Sequence, residues 1–165
     1  MEKYSKYITK AKKLGVKDAK IIPANGVVTA EWVRAKCQFG CGVYGRRLSC
    51  PPSAPTPEQT RRILTHYDDA LLVHTDEMID IGKIVSLMEK EIFFDGYYKA
   101  FGMGAGPCEL CEACPEFCKH PHQARPSMEA CGIDVYSTVR AYGFPIEVLK
   151  TRACKFNFYG LVLIE

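Results

Sequence analysis

The sequence predicts a layered α/β or α+β domain: a mixed sheet of about four to six strands, flanked by helices, with cysteine-rich loops gathered at one end. Three observations carry this. Short apolar runs of strand length interleave with stretches of helical periodicity along the whole chain. Hydrophobic residues make up 47% and charged residues 25%, which is ordinary globular composition and argues against disorder. Glycine and proline concentrate around the cysteines, as expected of irregular loops.

In chain order, residues 3–14 read as a short amphipathic helix stopped by Gly15. The pairs Ile21-Ile22 and Val27-Val28, split by Pro23 and Asn25-Gly26, predict two short strands or a hairpin within 19–28. Gly40, Gly42 and Gly45 predict a loop through the first cysteines, closed by Pro51-Pro52. Thr56-Pro57-Glu58-Gln59 is a helix start with a capping box, and the helix is expected to run to His66.

Residues 69–75 carry the continuous apolar run Ala70, Leu71, Leu72 and Val73 and predict a buried strand. Ile81, Ile84, Val85, Met88 and Ile92 recur at helical spacing and predict a helix that ends near Asp95-Gly96. Residues 97–103 lead, as a strand or extended segment, into the second cysteine group. Asp134 can cap a helix through Tyr142, which Gly143 would end. Residues 146–149 and 158–164 read as the last strands. With no repeat, linker or low-complexity segment, residues 1–165 are expected to form one domain.

Nine cysteines are the outlying feature. The stretch 1–13 lacks an apolar signal core, no run suits a membrane span, and nine is odd. A cytoplasmic protein is therefore expected, in which clustered cysteines serve as ligands or catalysts and not as disulfides. The formal charge of +3, without a long basic run, does not point to nucleic acid.

Cys108, Cys111, Cys114 and Cys118 have the spacing C-x2-C-x2-C-x3-C, similar to the bacterial ferredoxin run. Three thiolates at intervals of three can meet three irons of one [4Fe–4S] cubane, and the fourth points away. Ferredoxins place proline straight after the fourth cysteine, whereas Lys119 follows here and the next proline is Pro121. Structural zinc is the alternative.

Cys37, Cys41 and Cys50 could supply three corners of a tetrahedral site, with Cys118 or Cys131 as the fourth. With Cys131 the two groups hold eight cysteines, which suits two clusters, one cluster plus one zinc, or one cluster with spare catalytic thiols. Cys154, isolated near the last strand, reads as a small buried hydrophobe.

His120 and His122 flank Pro121, where they could bind metal or lie exposed; His66 and His74 read as structural. Arg34, Lys36, Arg46, Arg47 and Arg125 could offset an anionic cluster, receive an anionic substrate, or form a solvated face. Trp32, Tyr97, Tyr98 and Phe101 read as core.

The stretches EWVRAKC at 31–37, Tyr44-Gly45 with SCPP at 49–52, Gly106-Pro107-Cys108, and RPSMEACGIDV at 125–135 resemble one family. It is the predicted metal-binding protein family, domain of unknown function 2284. The resemblance runs from about Trp32 to the last strand. It implies a cysteine-dependent metal protein, with Cys37, Cys41, Cys50, Cys108, Cys111, Cys114, Cys118 and Cys131 as family positions. Cys154 has no match there. Within 125–135, Ser127 is expected to cap a short helix through Ala130 that Gly132 ends, which would aim Cys131 from a helix end. Glu129 would act as an acid or pair with Arg125.

Three functions follow. The first is an electron carrier or accessory redox protein with one or two [4Fe–4S] clusters, serving a redox partner protein. The second is an enzyme acting on a small molecule through an open iron site as Lewis acid, with Glu129, His120 or His122 as acid or base. The third is a zinc-stabilised binding module. A Walker loop, a dinucleotide-binding glycine motif and a serine-nucleophile elbow are all missing.

Overall fold

The structure, a computed structural model, describes residues 2–165; Met1, part of the stretch read for a signal core, lies outside the described residues. The elements run α1 (Ser5–Lys13), β1 (Asp18–Pro23), α2 (Glu31–Gly40), α3 (Pro57–Leu64), β2 (Asp69–Thr75), α4 (Ile81–Phe94), β3 (Phe101–Met103), α5 (Val135–Ala141) and β4 (Phe158–Leu163).

The four strands form one sheet in the order β1-β2-β4-β3. The layered class holds, at the low end of the expected strand count. Every pairing is antiparallel, where a mixed sheet was expected. The reason lies in β4. Strands β2 and β3 run the same way with α4 between them, and β4 inserts into the gap so that neither pairs with a parallel neighbour.

Side chains alternate across the sheet and build two cores. From β2, Leu71 and Val73 join Val162 under α1 and α4, where Tyr7, Ala11, Val85, Met88 and Ile92 pack. Ala70 and Leu72 face the other way, with Ile22, Leu161 and Leu163, against Leu64, Met128, Ile133 and Val139. Strand β2 is covered on both faces, which explains its unbroken apolar run. Each such large side chain contributes about 1.5–3 kcal/mol by leaving water.

Local capping follows the sequence. Gln59 N donates to Thr56 Oγ1 (3.1 Å) and Thr56 N donates to Gln59 Oε1 (2.8 Å), closing the capping box of α3. Asp134 caps α5 by accepting from Ser137 N at 3.0 Å.

Three elements differ from the sequence reading. No hairpin forms in 19–28: β1 pairs with the distant β2, and 24–26 is a 3-10 turn. Beyond it Val28 docks on the α5 region, where its N–H meets Thr138 Oγ1 and its carbonyl accepts from Asp134 N. Cys37 sits on a helix, α2, which the glycines further along had masked. Residues 146–149 form no strand; they lie over a cavity described below.

Candidate metal centre

Helix α2 presents Cys37 in its last turns, and Cys41 follows directly, its N–H bonded to Cys37 O. The chain then winds through short turns to Cys50, with Gly45 N on Pro51 O and Ala54 N on Cys50 O. Arg34 fastens this loop to the helix by donating to Pro52 O, Ala54 O and Pro55 O at 3.2–3.3 Å. Arg34 is thus a clamp on backbone as well as a cation beside the thiols.

Cys37, Cys41 and Cys50 line one cavity of about 510 Å³, open to solvent, together with Lys36 and Glu129. Burial pushes the Cys37 thiol up, with Cys41 and Glu129 adding to it and Arg34 opposing. Burial likewise pushes up Cys50, with Cys41 and Cys37 adding to it and Arg47 opposing.

Glu129 faces the cavity's solvent, yet the protein packed around its carboxyl pushes that group up from the ordinary range. Its turn holds the expected local bond, Ala130 N to Ser127 Oγ at 3.0 Å, but 127–132 is too short to become a helix. Gly132 closes it with φ +74°. Cys131 does not point from a helix end into the cavity. It is 1% exposed in the core, with its carbonyl accepting from Thr60 Oγ1 at 2.6 Å. Burial pushes its thiol up to about 12, with Glu129 adding and Arg34 opposing.

The second group occupies 107–126, a segment without helix or strand. Cys108, Cys111 and Cys114 are half-buried and Cys118 is exposed, its Sγ accepting from His120 N at 3.4 Å. The stems of this loop are tied. Gly104 N bonds Pro126 O and Met128 N bonds Gly104 O. Arg125 pairs with Glu89 through two hydrogen bonds of 2.5 and 2.6 Å, and Glu89 Oε2 also accepts from Gly102 N at 2.7 Å. One carboxylate therefore grips both ends of the cysteine loop. The partner of Arg125 is Glu89 on α4, not Glu129 as the sequence suggested; that pairing raises the guanidinium further.

The two groups meet. Arg47, from the first loop, donates to Cys111 O at 2.8 Å. Ala105, Gly106 and Pro107, at the start of the second loop, line the same cavity as Cys37, Cys41 and Cys50.

Of the histidines, His74 is buried, bonds Asn157 Oδ1 at 2.7 Å and stacks on Tyr159, a structural role. His66 and His122 are exposed. Cys154 lies half-exposed with Thr151 Oγ1 3.5 Å from its sulfur, so it is not the buried thiol expected. Trp32 is no core residue: half of it is exposed and it lines the cavity, as Phe156, Phe158 and Tyr159 do. Tyr97 and Phe101 pack against the cores, while Tyr98 is exposed. The apolar wall made by 146–159 was missed because 146–149 read as a strand and nothing in the spacing of 150–157 marks a cavity wall.

All nine cysteines are free thiols. As donors they suit thiophilic centres, iron–sulfur or zinc. Among the described residues, no three His, Cys, Asp or Glu side chains stand close enough together to hold a metal ion as placed. The loop group, irregular and solvent-facing, is the one that can re-aim its sulfurs without disturbing a core. No described helix is long and apolar enough to cross a membrane.

No curated protein and no solved structure matches this chain. The family model described as predicted metal-binding protein, domain of unknown function 2284, matches residues 20–164. That span runs from within β1 to the end of β4 and takes in both cysteine groups, and the chain belongs to this cysteine-rich metal-binding family.

Proposed function

We propose that the chain is an iron–sulfur protein whose loop cysteines Cys108, Cys111 and Cys114 hold a [4Fe–4S] cluster that exchanges electrons with a partner protein in a reducing, cytoplasmic setting, with Cys118 left to serve a second centre. The supporting observation is the C-x2-C-x2-C-x3-C run on a solvent-facing loop whose two stems share the Glu89 anchor. Bound there, a cluster would supply a one-electron centre close to the surface. The chain's own residues do the rest. Glu89 and Arg125 fix where the loop begins and ends, Arg47 holds Cys111 by its carbonyl, and the exposed side of the loop leaves room for a partner to approach.

A second reading rests on the cavity. Cys37, Cys41 and Cys50 line one open space, so a metal that drew the three thiols together would keep a position free for a small molecule, as Lewis-acid catalysis requires. Glu129, on the same wall, is the group available for proton transfer. The two readings are compatible with two centres in one chain.

The test is purification without oxygen, followed by the absorption spectrum and iron, sulfide and zinc analysis. A brown protein with matching iron and sulfide is expected. A colourless protein with stoichiometric zinc and no sulfide overturns the iron–sulfur reading and leaves a zinc-stabilised module.

A further inference from the structure

The cavity beside Cys37, Cys41 and Cys50 is larger than a metal centre needs. Its volume of about 510 Å³ lies inside the roughly 300–1,000 Å³ range of small-molecule sites. Much of its lining has no ligating chemistry. Trp32 stands on the α2 side, Leu149 and Phe156 come from the segment leading into β4, and Phe158 and Tyr159 open β4 itself. The Phe156 and Phe158 rings lie nearly parallel, 6.1 Å apart.

Several of these apolar side chains are left open to solvent. Trp32 is 51% exposed, Leu149 46% and Phe156 43%. Apolar surface in water costs about 25 cal/mol per Å², which a bound apolar molecule would recover. The segment 143–157 that supplies this wall has no helix or strand, yet it is held in place. Tyr159 Oη donates to Pro145 O, Arg140 donates to Ile146 O at 3.1 Å, and Asn157 Oδ1 meets His74 at 2.7 Å. Those ties hold the wall over the open space, not collapsed into it. The polar groups are few: the three thiols, Lys36, Ser127 and Glu129 come from other elements, and the wall segment adds Asn157 and the exposed Glu147. An apolar cavity with a few convergent polar groups is the form of a small-molecule site.

We propose that this cavity binds a small, neutral, flat and largely apolar molecule, whose ring system packs among Trp32, Phe156 and Phe158 and whose polar group meets Cys37 and Glu129. The site goes beyond the electron-transfer reading and gives the second reading its substrate class. It stands on the walls, so it holds whichever metal the cysteines take.

Trp32 is the chain's single tryptophan, so the cavity carries its own reporter. The full chain, as purified without oxygen, is titrated with 2-acetonaphthone, a neutral naphthyl ketone. Trp32 emission is followed, and calorimetry gives the stoichiometry. Saturable one-to-one binding is expected. Ala105→Phe, which fills the cavity, and Leu149→Asp, which sets a charge against its half-exposed wall, should each weaken binding by about tenfold or more. Leu149→Asp guards against a misfolded Ala105→Phe. Phe94→Ser removes an exposed aromatic that is not part of the cavity and should leave binding unchanged.

The proposal is overturned by an absence of saturable change at Trp32, by unchanged binding in folded Leu149→Asp, or by loss of binding in Phe94→Ser. Iron and zinc counts on the same samples separate the two ideas. Binding to a metal-free protein would sink the metal readings and keep this site, and a metal-loaded protein that binds no ketone would do the reverse.

Discussion

Cys37, Cys41 and Cys50 stand on α2 and a turn clamped by Arg34, whereas Cys108, Cys111, Cys114 and Cys118 ride a loop with no regular structure between two tied stems. The first group is positioned by packing, and its thiols share a cavity with Glu129 and a set of aromatics. The second is positioned by its ends, with three of its thiols half-buried and Cys118 exposed. The contrast separates two ways of arranging ligands. A packed platform fixes thiols beside a space that a molecule can enter. A tethered loop leaves them free to close on a centre of their own. Damage to the platform should therefore be felt across the fold, and damage to the loop's tethers should loosen the loop alone.

The largest effect is expected at Gly132. A Cβ there would lie 2.4 Å from Pro57 Cγ and 2.9 Å from its Cα, at a φ that side chains rarely adopt. Gly132→Ala should cost about 3 kcal/mol, read as a lowered urea midpoint. A neutral result would mean that the platform side is not tightly packed.

Next comes Glu89, whose carboxylate and Arg125 partner are both about 15% exposed. Glu89→Ala strands the guanidinium and frees Gly102 N, at a cost of about 2–3 kcal/mol. Hydrogen exchange should rise across 104–126 and stay unchanged on α2. Equal rises in both regions would erase the distinction between them.

Arg47→Met removes the bond to Cys111 O that joins the groups. About 1 kcal/mol is expected in the denaturant midpoint, with faster exchange at 108–118. No change at 108–118 would show that the two loops are held independently.

The smallest effect is in pH dependence. Burial pushes the Tyr159 phenol, which anchors the cavity wall, above its ordinary value of about 10. The native state then keeps its proton where the unfolded chain loses it. This contribution is full below about pH 10 and falls as pH rises beyond it. Denaturant midpoints between pH 8 and pH 11 (from about two units below the ordinary tyrosine value to about one above it) should fall less steeply in Tyr159→Phe. Parallel slopes would contradict the burial account.

The strands and capped helices were legible because their signals are local. The apolar run of β2, the stripe of α4 and the Thr56 box each need only a few neighbouring residues. The antiparallel order was not legible, because β4 reaches its place between β2 and β3 from far along the chain. Asn25-Gly26 read as a hairpin turn, but no strand waits beyond it. At the site, the cysteine groups were visible from spacing. That Arg125 would choose Glu89, that Trp32 would face a cavity, and that 146–159 would form its apolar wall depend on long-range packing that spacing does not encode.

Metal held by the loop of Cys108, Cys111 and Cys114 is the central claim, and one paired measurement tests it. Cys108→Ser/Cys111→Ser/Cys114→Ser and Cys37→Ser/Cys41→Ser/Cys50→Ser are purified without oxygen beside the parent. Iron and sulfide per chain, the absorption spectrum and circular dichroism are recorded for all three. The account predicts that the loop variant keeps its fold and loses the iron, sulfide and brown colour of the loop centre, while the cavity variant retains them. A folded loop variant with the parent's full iron and sulfide would contradict it.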